Sequence, residues 1–201
     1  MNIMKLYLNK ASPYARLVQV VAHEKDLSGE LELVWTDPWA SEDKLLAVTP
    51  FSKVPVLIAR DGLPLLESAC ICDYLDEHGR GKRLMPPSGD DRLRAQRKLG
   101  LGRGLIDVSF GAVIQKRFGA ADAPSTLFER WRVSVVRAVH TLEKDAPSNI
   151  EVDLGDLAIA VALSYVDFRM PDVGWHAKAP RLSAWYDRMS ARRSMMATAP
   201  E

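Results

Sequence analysis

The sequence predicts a chain of two parts, an α/β segment of order βαβ then ββα followed by an all-helical bundle. Three observations carry that prediction. Strand and helix signals alternate over the first eighty residues, breakers cluster at Gly79-Arg80-Gly81-Lys82-Arg83 and Pro86-Pro87-Ser88-Gly89-Asp90, and only helical periodicity follows. The boundaries read as residues 1–80 for the first domain, 81–90 for a linker and 91–201 for the helical domain.

Ile3 to Asn9 is an apolar run of strand length. Ser12 then offers an N-cap and Pro13 a first helical residue, opening a helix to Lys25. Leu31, Leu33 and Trp35 alternate on one face of a second strand that reaches Thr36, and a short helix is expected around Ser41 to Ala47. Val54 to Ala59 and Leu63 to Leu66 flank Arg60-Asp61-Gly62, which predicts a hairpin. A helix from Ser68 to about Glu77 closes the first domain.

In the second half, Leu101, Leu105, Val108 and Ala112 recur at helical spacing on a long helix from Asp91 to Phe118. Leu127, Trp131, Val135, Val139 and Leu142 form a second such row, and Leu157, Val161, Tyr165 and Phe168 a third. A last helix begins near Pro180 with Leu182, Trp185 and Met189. Asp153-Leu154-Gly155-Asp156 reads as a capping box, with Val152 and Leu157 placed as a hydrophobic staple. In Gly100-Leu101-Gly102-Arg103-Gly104 the glycine spacing is wrong for a dinucleotide loop; these residues instead let two helices approach closely or line a cavity.

With 201 residues and 47% hydrophobic content, the chain can bury a substantial core. Its 27 basic and 26 acidic residues leave a formal charge of +1 without a block of either sign, so nucleic acid is not an expected partner. The stretch from Met1 to Leu8 is too short and too soon interrupted by Asn9-Lys10 for a signal peptide, and no apolar run approaches membrane-spanning length. A soluble cytoplasmic protein without a membrane partner is expected. Cys70 and Cys72 point to different faces of a helix and read as buried thiols, not as a disulfide or metal pair. The four histidines lack zinc spacing, so no metal is expected.

Chemistry enters at Ser12. Its side chain stands beside the unpaired amides and the positive end of a helix dipole, a place that favours an anion, although a cap alone would also explain it. Glu67-Ser68 sits where a strand gives way to a helix. The Ser68 hydroxyl and amide suit a carboxylate and Glu67 an ammonium group, while a plain capping serine beside a solvated glutamate is the other reading. Val54 precedes a proline at a strand start, and such a residue can turn its N–H and C=O towards an extended ligand. A trans Pro55 on an edge strand is the commoner form of that sequence, a cis bond the rarer. Neighbouring Lys53 could reach a second carboxylate, or be solvated surface. No Ser/His/Asp set with suitable neighbours stands out, which makes serine hydrolysis a poor competitor.

The βαβ-ββα order with a proline opening the third strand is thioredoxin-like. Ser12-Pro13-Tyr14-Ala15-Arg16, Pro50-Phe51-Ser52-Lys53-Val54-Pro55-Val56-Leu57 and Leu66-Glu67-Ser68-Ala69, in that order and followed by a helical half, resemble the glutathione-site motifs of cytosolic glutathione S-transferases. The capping box resembles that family's at its core helix, with Asp153 where serine or threonine is usual. Asp167-Phe168-Arg169, Gly174-Trp175, Pro180-Arg181-Leu182 and Arg192-Arg193-Ser194 are similar to the tail of its bacterial serine-type branch. The Ser-Ser-Cys type motif of the maleylacetoacetate-isomerase class is missing at the first helix, which disfavours that activity.

The resemblance implies a homodimeric glutathione transferase with no cofactor, glutathione serving as co-substrate. It implies a cis Val54-Pro55 bond, Glu67 and Ser68 on the γ-glutamyl end, Val54 on the tripeptide backbone and Lys53 near the glycyl carboxylate. Ser12 would stabilise the thiolate as a hydrogen-bond donor, not as a nucleophile. Asn9 is a second candidate donor, Tyr7 reads as core with a satisfied hydroxyl, and Arg16, one helical turn after Ser12, either adds positive field there or is a solvated helix-surface arginine, the commoner case. A small hydrophobic electrophile is expected between the domains, near Tyr14, Trp39, Ser109, Phe110, Val113 and Arg117, with Phe51 presented to a partner subunit. A glutathione-dependent peroxidase, reductase or lyase, and a non-catalytic interaction protein, are the alternatives on the same scaffold.

Overall fold

Alternating polarity in Met4-Lys5-Leu6-Tyr7-Leu8 makes strand β1 (Met4–Leu8), which buries Met4, Leu6 and Leu8 completely and leaves Lys5 exposed. The computed structural model describes residues 3–119, 126–146 and 151–200; Met1 and Asn2, part of the N-terminal reading above, lie outside them. After β1 come α1 (Pro13–Glu24), β2 (Leu31–Trp35), α2 (Asp43–Leu46), β3 (Val56–Ile58), β4 (Pro64–Leu66) and α3 (Ser68–His78). The sheet order is β2-β1-β3-β4, with β1 and β2 parallel and the other two pairings antiparallel. This is the thioredoxin-like order that the sequence predicts. Gly62, at φ +90°, turns the β3–β4 hairpin, which the Asp61 carboxylate ties by accepting from Leu63 N at 3.0 Å.

In the β1–β2 register Leu33 faces Leu6 and Trp35 faces Leu8, so all four side chains share one face of the sheet. The β1 residues are sealed, whereas Leu33 and Trp35 on the edge strand stay substantially exposed.

The remaining elements are α4 (Gly89–Phe118), α5 (Thr126–Lys144), α6 (Leu154–Arg169), α7 (Trp175–Lys178), α8 (Pro180–Ser190) and α9 (Arg193–Ala197). The chain forms two compact units. One runs to Met85 and takes in the segment from Arg193 onward, and the other is Pro86–Arg192. The segment after Arg192 therefore leaves the helical domain to which the sequence reading assigned it. Arg16 explains why. Only 7% exposed, it donates from its guanidinium to Met195 O at 3.2 Å and to Thr198 Oγ1 at 3.5 Å, and Ser194 Oγ donates to Glu24. Arg16 is thus a buried anchor for α9 and not the surface residue expected.

The stretch read as a linker is also fastened. Asp76, completely buried in α3, accepts from Leu84 N at 2.7 Å and Met85 N at 2.9 Å, and pairs with buried Lys25 at 3.1 Å. Lys25 donates in turn to Lys82 O at 2.9 Å. Cys72 is buried as expected, but Cys70 is exposed, because its position on α3 turns away from the core.

In the second unit α6 is buried at every position from Leu154 to Val166. The capping box is present in full: Asp156 N donates to Asp153 Oδ1 and Asp153 N to Asp156 Oδ2, each at 3.0 Å. Lys98 from α4 adds ion pairs of 2.6 Å to Asp153 and 2.8 Å to Asp156. Gly102 allows α4 and α6 to close, since a Cβ there would stand 2.6 Å from the Ala158 backbone.

Candidate functional site

The loop between β1 and α1 is built on Asn9. Its side-chain amide donates to Thr36 O at 3.3 Å, its side-chain oxygen accepts from Ala11 N at 3.0 Å, and its main-chain carbonyl accepts from Ser12 N at 3.2 Å. Ser12 is the N-cap of α1, with φ −81° and ψ 115°, and its Oγ accepts from Ala15 N at 3.2 Å. One lone pair of the hydroxyl is committed to the helix, whereas its proton goes to no acceptor among the described residues. A group that needs a hydrogen-bond donor, such as a thiolate, would find one there.

The Val54-Pro55 bond is cis. Pro55 and Val56 are buried, and Val54 is half-buried just ahead of β3. None of the turn and loop hydrogen bonds among the described residues uses the Val54 N–H or C=O, so both stand outside the ladder. Ser52, at φ +48°, steadies this loop by donating from its hydroxyl to Pro38 O at 2.8 Å. Lys53 is exposed beside it.

At the head of α3, Glu67 holds φ +68° and ψ 122°, a conformation that side-chain-bearing residues rarely adopt and that is found mostly where a site requires it. Glu67 is itself exposed, while Ser68 is only 2% exposed and its Oγ has no hydrogen-bond partner among the described residues. A buried hydroxyl without a partner costs about 1–3 kcal/mol, a cost that a ligand carboxylate at the helix N-terminus would remove.

The other predicted residues separate. Tyr14 is half-buried in the first turn of α1, and Trp39 is half exposed with its amide donating to Asp37 Oδ1 at 3.0 Å. Phe51 is 65% exposed. Phe110 is half-buried on α4. Ser109 is corrected: it is completely buried and its hydroxyl donates to Leu105 O at 2.7 Å, so it belongs to the α4 core and offers nothing to a ligand. Tyr7 is half-buried with no hydroxyl partner among the described residues, in place of the satisfied core tyrosine expected.

A serine, histidine and aspartate do meet in the second unit, contrary to the sequence reading. His176 lies 2.9 Å from Ser183 Oγ and 3.2 Å from both Asp167 carboxylate oxygens, and Trp175 Nε1 donates to Asp167 at 2.6 Å. The Arg181 and Leu182 amides at the start of α8, just ahead of Ser183, already donate to Glu143 at 3.2 and 2.7 Å and so are not open to a tetrahedral oxyanion. The cluster is a clip joining α6, α7 and α8. Its members are seven and nine residues from His176, too scattered to stand out as a motif.

A thioredoxin-like unit with a cis-proline loop, joined to an all-helical unit, defines the class. Residues 11–78 match the family model for the glutathione S-transferase N-terminal domain and residues 125–188 that for its C-terminal domain. A glutathione transferase family member from Pseudomonas fluorescens Pf-5, solved with bound glutathione, is 33% identical with a TM-score of 0.92, covering 98% of this chain and 99% of its own. A second structure from that organism, with bound S-(propanoic acid)-glutathione, is 32% identical with a TM-score of 0.86, covering 98% and 97%. The uncharacterized GST-like protein YibF of Escherichia coli K12 is 26% identical over 201 residues, 98% of each chain. This chain belongs to the glutathione S-transferase family. No helix among the described residues is long and apolar enough to cross a membrane.

Proposed function

We propose that the protein binds glutathione at the Ser12, Val54 and Glu67-Ser68 positions, stabilises its thiolate and conjugates it to a small hydrophobic electrophile. The observation that carries this reading is the Ser12 hydroxyl, whose lone pair is held by Ala15 N while its proton remains to be donated. A free thiol with a pKa near 8.5 is only a few per cent thiolate at pH 7. One charge-assisted hydrogen bond together with the α1 dipole is worth roughly 1.5–3 kcal/mol, enough to lower that pKa by one to two units. Ser12 then raises the nucleophile's concentration without entering the covalent chemistry. Thiolate sulfur forms the new bond to carbon, and the electrophile's leaving group departs with the electron pair or its conjugated system accepts it.

The Ser68 hydroxyl, partnerless among the described residues, and the strained Glu67 backbone support the γ-glutamyl end, and the exposure of Lys53 beside Val54 supports a contact with the glycyl carboxylate. The bound glutathione and bound thioether of the Pseudomonas relatives favour binding followed by S-conjugation. The Ser12 motif supports placement in the serine-type branch, and exposed Phe51 supports a homodimer. A cytoplasmic location fits a thiol co-substrate that is kept reduced.

The test is an ultraviolet difference titration of glutathione thiolate against pH on wild type and Ser12→Ala. A thiol pKa lowered in wild type and restored upward in the variant is expected. Saturable binding with an ordinary thiol pKa would overturn the catalytic part, and no binding at all would favour an interaction module.

A further inference from the structure

The helix capped by Ser12 is tied to the segment after Arg192 near both of its ends. The Arg16 amide donates to Ser12 O at 3.0 Å and closes the first turn of α1, while its guanidinium leaves that turn for Met195 O at 3.2 Å and Thr198 Oγ1 at 3.5 Å. At the other end of the helix, Glu24 accepts from Ser194 Oγ. Glu24 thus meets the start of α9 and Arg16 its finish, which sets α9 antiparallel to α1.

Each tie has a chemical reason. The last carbonyls of a helix lack partners within it and carry the negative end of its dipole, so a guanidinium suits Met195 O. The Thr198 hydroxyl gives its proton to Ser194 O at 2.9 Å, which leaves its oxygen to accept from Arg16 Nε. Ser194, Met195 and Thr198 are all buried, where a polar group without a partner is costly. Five residues are too few to hold a helix by themselves, so α9 depends on this seat for its order.

We infer that the segment after Arg192 sets where Ser12 presents its hydroxyl, with Arg16, Ser194 and Thr198 as positioning residues. The inference rests on the glutathione-transferase reading and adds to it a support for the thiol donor. Ser12 N is held by Asn9 O on the strand side, and Ser12 Oγ by Ala15 N on the helix side. The second bond moves with α1. A shift of that helix therefore redirects the hydroxyl while Val54 and Glu67-Ser68, on other elements, keep their places, and a displacement of about 1 Å is enough to lose most of a positioned group's effect.

The test compares full-length wild type with Arg16→Met and with the double variant Ser194→Ala/Thr198→Val, which keeps the guanidinium. Amide hydrogen exchange without glutathione reads Ala15, whose N–H is bound by Ser12 Oγ, against the amides of β1; ultraviolet difference titration reads the bound thiol. In the double variant the Ala15 amide should exchange about tenfold faster while β1 is unchanged. The bound thiol pKa should rise by about half a unit, a threefold change in ionisation, with glutathione affinity within about twofold. Thr198→Val alone should give the same changes in smaller measure. An unmoved Ala15 amide, equal acceleration at Ala15 and β1, or a thiol pKa unmoved from a lowered wild-type value would overturn the inference. A rise confined to Arg16→Met would also overturn it, since the lost charge and not the tail's hold would then be at work. Selective acceleration at Ala15 in a protein whose wild type binds no glutathione, or leaves its thiol pKa ordinary, would sink the conjugation reading and leave the tail's hold on Ser12 standing.

Discussion

The Lys25 ammonium lies 3.1 Å from Asp76 Oδ1 with both side chains out of solvent, joining the end of α1 to α3 and, through the Leu84 and Met85 amides, to the chain that leaves the first unit. The two partners are unequal. Among the described residues Asp76 serves four donors, Lys25, Arg83 and the two amides, whereas Lys25 has Asp76 and the Lys82 carbonyl. Asp76→Ala should cost about 3–5 kcal/mol and Lys25→Met clearly less, because removing the carboxylate strands a buried cation and two amides together. Urea unfolding of both variants checks the order; equal losses would count against it.

Ser68→Ala should move stability and binding in opposite directions. The Ser68 hydroxyl has no partner among the described residues, so its removal is expected to leave stability unchanged or raise it by about 1 kcal/mol. Glutathione affinity should fall about tenfold, the equivalent of one such hydrogen bond. Melting curves with and without glutathione report both.

Ser12→Ala is expected to behave differently: glutathione affinity within a few fold of wild type, turnover well down, and about 1 kcal/mol of stability lost with the α1 cap. If the variant kept full activity across pH, Asn9 would replace Ser12 as the thiol donor.

Glu67→Gly tests whether strain is held for binding. Glycine accepts φ +68° without penalty, so the variant should gain up to about 1 kcal/mol in the free protein while losing glutathione affinity with the carboxylate. Calorimetric titration beside urea unfolding separates the two effects.

The Lys98 cluster has an alkaline signature. Burial pulls the Lys98 pKa down, but hydrogen bonds to Asp153 and Asp156 outweigh it and hold the ammonium above its ordinary 10.5. A raised folded value means that the contribution is complete below 10.5 and lost as pH rises through the folded value. Lys98→Met should therefore cost about 2–3 kcal/mol at pH 8 and less above pH 11, roughly the loss expected for a largely buried pair. Asp156 is also raised, from its ordinary 3.8: burial pushes its carboxyl up despite Lys98, so its own contribution is greatest below that value and declines as pH rises through the folded value. Urea midpoints at pH 4, 8 and 11 check both signs.

What could be read in the sequence was local. The Ser12-Pro13 helix start, the Asp61-Gly62 turn and the Asp153 capping box are all decided within a few residues by caps and turn chemistry, and each is present. The features that escaped depend on distant partners. Arg16 looked like a surface arginine because Met195 lies 179 positions away, and Lys25 gave no sign of Asp76. Ser109 failed as a site residue for a related reason: helical spacing places a serine on a face, but only packing tells whether that face is sealed. At the candidate site, residue types and spacing pointed to Ser12, Val54 and Ser68, whereas the free proton of Ser12 and the partnerless Ser68 oxygen could be seen only with their neighbours in place.

The anchoring of α9 on Arg16 also sets an order of events during synthesis. At 5–20 residues per second, Met195 is made roughly 10–35 s after Arg16. Through that interval the guanidinium near the Ser12 turn waits for acceptors that the ribosome has not yet produced. The first unit, although most of it is made before the helical unit, is therefore completed only after Arg192 has been synthesised.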